Sequence, residues 1–152
     1  MKKERSDLMV EFKRTTDLND QVYLDALALR TEVFVKEQNV SPTDEIDHEQ
    51  GPLYFVGYLN SQPVVTARVI EEDAGIWHIQ RVAVKSEFRK RSLGTEVLRE
   101  IENVADSKHI QLLTLGAQDQ AQNFYLKLGY QVKGAGFLDA GIKHHRMDKI
   151  LD

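Results

Sequence analysis

The period of the apolar positions changes several times along the chain, and each change marks an element. Leu8 to Lys13 alternates weakly, as a first strand does, and the pattern gives out near Thr15-Thr16-Asp17. The spacing then lengthens. Leu18, Val22, Ala26, Leu29 and Val33 share one face of a helix that Asp17 or Asn19 can cap and that is predicted to run to about Glu37. Asn39 to Pro52 has no apolar period and contains two prolines and a glycine, so it reads as an irregular acidic loop. Leu53–Leu59 and Val64–Ile70 read as strands joined through Asn60-Ser61-Gln62-Pro63, a hairpin. A third strand follows from about Ile76 to Val84. Its last residues, Val82, Ala83 and Val84, form the kind of apolar run that fills a strand covered on both faces. Phe88 to about Ser107 is a basic turn and a helix, with Leu93, Val97, Leu98, Ile101, Val104 and Ala105 on one stripe. Gln111–Leu115 reads as a buried strand, and Asp119 to about Leu128 as a helix that Gly129 stops. Tyr130-Gln131-Val132 opens another strand, and His145–Leu151 forms the last.

This order of elements predicts a mixed sheet with helices on its faces, an α/β or α+β layered domain. No repeat, low-complexity tract or linker interrupts it, so residues 1–152 read as a single domain.

Composition narrows the chemistry. The chain has 20 basic and 24 acidic residues, a balance that disfavours wholesale nucleic-acid binding while leaving room for a local basic patch. There is no cysteine, which excludes disulfides, thiolate nucleophiles and cysteine-held metals. The acidic loop does not match the spacing of a calcium-binding EF-hand, and no metal is expected. That loop reads as solvated, the alternative being that it borders a cationic substrate. No apolar run approaches a membrane span, and Met1–Asp7 lacks the apolar core of a signal peptide, so the default expectation is a cytoplasmic protein away from membranes.

The candidate chemistry centres on the strand–turn–helix from Gln80 to Thr95. Arg89, Lys90 and Arg91 are consecutive cations, followed by Ser92, Gly94 and Thr95 at the predicted helix start. Taken alone, such a turn is more often a solvated corner. It is also a place where unpaired N–H groups, the helix dipole and cationic side chains can converge on phosphate. It matches neither the P-loop nor the dinucleotide fingerprint. Downstream, Gln118 to Tyr130 sets the aromatic hydroxyl of Tyr125 four residues before Gly129, a position that by itself more often holds a packing residue.

Together the two segments resemble the GNAT superfamily of acyl-CoA N-acyltransferases. Its cofactor motif R/Q-x-x-G-x-G/A corresponds to Arg89-Lys90-Arg91-Ser92-Leu93-Gly94, and its N-x-x-A-x-x-[FY]-Y-x-x-x-G-[FY] motif to Gln118–Tyr130. Leu29–Gln38 with Asp44-Glu45-Ile46-Asp47, and Gly136–Met147, are similar to the ElaA-type branch. The resemblance implies the GNAT fold, a twisted and mostly antiparallel sheet whose central strands splay apart. It implies acetyl transfer from acetyl-CoA to a primary amine of a small molecule or peptide, by direct attack in a ternary complex.

The resemblance also assigns roles. Val82, Ala83, Val84, Arg89, Lys90, Arg91, Ser92, Leu93, Gly94, Thr95 and Gln118 would bind the cofactor, with a backbone N–H near Val84 facing the developing oxyanion. Tyr125 would be the general acid. His144 is the first candidate for the base, and His78, acting through a water, the second; both are equally read as ordinary hydrogen-bonded histidines. Arg30, Glu37 and Gln38 either line the acceptor pocket, as His78 would, or form a polar helix end tied to the acidic loop. A homodimer is common in the superfamily. Three positions depart from the motifs: Ser92 replaces a glycine, Gln118 an asparagine, and Lys143 a common proline. Two rival functions are an acyl-CoA sensor without turnover, for which Ser92 leaves some room, and nucleic-acid binding through Arg89–Arg91, against which the acidic balance weighs.

Overall fold

A computed structural model of the protein describes residues 9–41 and 48–151. The expectations for Met1–Asp7, for Leu8 and for the acidic stretch 42–47, including Asp44-Glu45-Ile46-Asp47, lie outside the described residues. Seven strands form one sheet in the order β1-β2-β3-β4-β5-β7-β6. They are β1 (Glu11–Thr15), β2 (Leu53–Leu59), β3 (Gln62–Asp73), β4 (Ile76–Val84), β5 (Leu112–Gln118), β6 (Gln131–Asp139) and β7 (Ile142–Ile150), and the helices are α1 (Gln21–Arg30), α2 (Leu93–Ser107) and α3 (Gln122–Lys127). The sheet is mixed and mostly antiparallel, with β4 and β5 paired in parallel.

The chain divides into two compact units. One comprises residues up to Arg68 together with Arg81–Ile101. In it α1 lays Val22, Tyr23, Ala26 and Leu29 on Tyr54, Val56 and Tyr58 of β2. The cap is Asp20, whose carboxylate accepts from Val22 N at 3.1 Å, and not the expected Asp17 or Asn19. Asp17 instead accepts from Asn19 N in a local turn. The expected single α-helix to Glu37 ends at Arg30, and Thr31–Glu37 continues with π-helical hydrogen bonding, Gln38 N reaching Val33 O at 3.2 Å. Three β-branched residues in this stretch, Thr31, Val33 and Val35, weaken the preference for regular α-helix. The hairpin β2–β3 turns on Asn60 and Ser61, both left-handed (φ 50° and 67°).

The second unit, Val69–Gln80 with Glu102 onward, holds the parallel pair and the strands beyond it. β4–β5 pairing covers Ile76 to Ile79 and stops there, and Arg81 then takes a left-handed φ of 56°. A left-handed non-glycine inside a strand marks a bulge. It also corrects one expectation. Of the run Val82–Val84 only Ala83 is buried, so this end of β4 is not covered on both faces. Asp119–Ala121 is a 3-10 turn, so α3 starts later than the pattern suggested, and Gly129 takes φ 97°, the left-handed stop expected of it.

Candidate functional site

The turn after β4 begins with a 3-10 segment, Ser86–Phe88, and ends where the carbonyl of Ser92 accepts from Glu96 N at 3.0 Å. That bond makes Ser92 the residue before the first helical turn, so the N–H groups of Leu93, Gly94 and Thr95 have no acceptor within the helix. Lys90 and Ser92 are both left-handed (φ 66° and 63°), the backbone from which anion-holding nests are built. The three cations divide their work. Arg91 stands over the ring of Phe88 at 5.3 Å, and Lys90 is exposed. Arg89 folds back, donating from Nε at 3.1 Å and a terminal nitrogen at 3.0 Å to Val84 O, and pairing with Glu37 at 2.8 Å.

Ser92 occupies a conformation that costs a non-glycine residue about 1–2 kcal/mol. Glycine gives back roughly half of that gain through its freer unfolded chain. Ser92→Gly is therefore expected to raise stability by up to about 1 kcal/mol, seen in urea as a higher midpoint at unchanged slope. A lower midpoint would assign the serine hydroxyl a stabilising role.

Arg30, in the unit of the turn, is 1% exposed, and both terminal nitrogens hold Glu49, at 2.8 and 3.0 Å. Arg68, 2% exposed, reaches the same carboxylate at 2.8 Å, as does the Tyr23 hydroxyl at 2.9 Å. Burial alone would raise the Glu49 pKa, but hydrogen bonds and charge from Arg30, then Tyr23 and Arg68, outweigh it and hold it at about 2. Of the two roles open to Arg30, this is the tie to the acidic loop. Glu37 is bound to the turn through Arg89, and Gln38 is exposed at the end of the π-helical stretch.

Tyr125, His144, His78 and Gln118 belong to the other unit. Tyr125, on α3, is 9% exposed and meets Phe124 and Tyr130 edge-on, with ring centres 5.0 and 5.7 Å away. Burial pushes its hydroxyl to about 12, so it stays protonated at any physiological pH. His144, opposite Gln118 on β5, is buried and stacked on Phe137 at 5.7 Å. Its Nδ1 lies 2.7 Å from Ile142 O; a carbonyl only accepts, so Nδ1 donates, and in the neutral ring the lone pair is on Nε2. His78 pairs with Glu72 at 2.6 Å near the surface. Sequence reading passed over His145, whose Nδ1 sits 2.7 Å from Asp119. It also passed over Glu49 and Arg68; a lone arginine amid Val64–Ile70 was the available signal, since a buried charge requires a partner.

The cationic, left-handed turn that opens α2 carries the motif by which the sequence resembles acyl-CoA N-acyltransferases. The chain belongs to the GNAT acetyltransferase family, whose model, an acetyltransferase (GNAT) domain, matches residues 15–151. It is 38% identical to the uncharacterized N-acetyltransferase YjcF of Bacillus subtilis, over 86% of this chain and 94% of that one. Escherichia coli ElaA superposes with a TM-score of 0.81 at 26% identity, over 93% and 99% of the two chains. An aminoglycoside 6'-N-acetyltransferase complexed with coenzyme A shares the fold, with a TM-score of 0.73 at 16% identity over 92% and 96%. Among the described residues no helix is long and apolar enough to cross a membrane, and no cluster of metal-binding side chains occurs.

Proposed function

We propose that the protein transfers the acetyl group of acetyl-CoA to a primary amine of a small molecule or peptide, by direct attack of the amine on the thioester. The observation that carries this reading is the start of α2, where three consecutive N–H groups without helical acceptors follow a cationic, left-handed turn. The N–H groups of Leu93–Thr95, with Lys90 and Arg91, hold the diphosphate. The edge of Val82–Val84, past the last β4–β5 pair, bonds the pantetheine arm, and the N–H near Val84 receives the oxyanion. The Nε2 lone pair of His144 takes the ammonium proton. Tyr125, its hydroxyl protonated, is the donor assigned to the departing thiolate.

Calorimetry with acetyl-CoA, followed by thiol release with a panel of primary amines, tests the reading. Heat with acetyl-CoA and free CoA with at least one amine is the expected result. Heat without thiol release across the panel marks a sensor, and no heat at all removes the cofactor site.

A further inference from the structure

The π-helical stretch and the cofactor turn are joined by two ion pairs: Glu32 with Lys85 at 3.1 Å, and Glu37 with Arg89 at 2.8 Å. Residues five apart lie about 140° from each other around an α-helix and could not both face one turn. Hydrogen bonding from i to i+5 stacks them instead, and π-helical turns of this kind are often found at functional sites. All four side chains are a fifth or more exposed, so the pairs add little to stability. What they do is fix a place. Arg89 donates two hydrogen bonds to Val84 O, from Nε and Nη2, while Glu37 pairs with that same Nη2 at 2.8 Å. The next N–H, that of Lys85, is bonded to Val64 O at 2.8 Å, so the Val84–Lys85 peptide is held at both its polar atoms.

We propose that Arg89 is a positioning residue anchored by Glu37, and that the pair sets the orientation of Val84, the residue whose N–H is assigned to the oxyanion. The inference deepens the function proposed above and rests on it. It also gives the π-helical segment a role: Glu37 acts on the reaction through Arg89 and Val84. Arginine suits this because its planar fork satisfies a carbonyl and a carboxylate together, which a lysine ammonium does with less directional control.

The test compares Glu37→Gln, Arg89→Gln and the double variant. Each single change is expected to lower kcat by about threefold to tenfold, with KM for acetyl-CoA within about twofold of the parent. The double variant should be no worse than Arg89→Gln, because both changes break one chain of contacts. Amide exchange at Lys85, followed by NMR in the free protein, should quicken by about threefold or more in both single variants. That measurement is independent of turnover, so it judges the positioning even if the parent protein fails to bind acetyl-CoA. Unchanged exchange overturns the proposal. So does a rise in KM of about tenfold or more for Arg89→Gln at constant kcat, the result expected of a direct phosphate ligand.

Discussion

Tyr125→Phe is expected to lower kcat by about tenfold to a hundredfold while leaving the affinity for acetyl-CoA within about twofold. The size follows from comparing two acids. The phenol is held at about 12 by burial, whereas an alkyl thiol has a pKa near 8.5. Full proton transfer to the leaving thiolate would therefore be uphill by roughly three pH units, or about 4–5 kcal/mol. A hydrogen bond to the charge developing on sulfur carries no such penalty and contributes about 1.5–3 kcal/mol. In the proposed mechanism the hydroxyl therefore serves the departure as a hydrogen-bond donor. Phenylalanine keeps the ring packed between Phe124 and Tyr130, so binding should survive. Thiol release and calorimetry on the same preparations separate the two effects. Unchanged turnover with a confirmed amine removes Tyr125 from the chemistry. The same pKa implies that Tyr125 places no ionisation in the pH–rate profile between pH 6 and about 11.

Local patterns carried most of the fold into view. β2 matches its apolar run residue for residue, and Ile76–Val84 and Gly129 stand where their spacing placed them. Thr31–Glu37 was not legible, because the change from i→i+4 to i→i+5 bonding leaves the apolar positions of a helix nearly in place. Choosing Asp20 as the cap over Asp17 and Asn19 depends on which side-chain oxygen is drawn into the Asx turn, a contest among near-equals. In the candidate site, residue types were readable and partners were not. Arg89 reads as a phosphate ligand because it begins a motif; its carboxylate partner, Glu37, lies far back along the chain, where no local spacing points to it. Glu49 looked like one more charge in a solvated loop. Only the fold brings Arg30 and Arg68 onto it, and no local spacing encodes that meeting.

The Glu49 cluster carries the largest expected effect on stability. Two guanidinium groups that are 1% and 2% exposed share this carboxylate, and the Tyr54 hydroxyl donates to its backbone carbonyl. Glu49→Gln preserves the shape but removes the charge that both arginines face, and breaking a buried pair from one side costs about 3–5 kcal/mol. Urea unfolding should show at least about 3 kcal/mol of loss with little change in slope; a loss below about 1 kcal/mol would mean the cluster is not a stabilising centre. The pH dependence gives a second check with a definite sign. Because the folded-state pKa is held at about 2 against an ordinary 4.5, the contribution of Glu49 is fully present above pH 4.5. It fades as pH falls through that interval toward 2, where the folded form too takes up the proton. Protonation of Glu49 removes the charge that both guanidinium groups face, the same loss that the substitution causes. The parent protein should therefore lose stability steeply between about pH 4.5 and 2, and Glu49→Gln should flatten that slope. An equal slope in both proteins would place the acid-sensitive group elsewhere, at Asp148 for instance, whose carboxyl Arg146 and Thr114 also hold below its ordinary value against the opposing effect of burial.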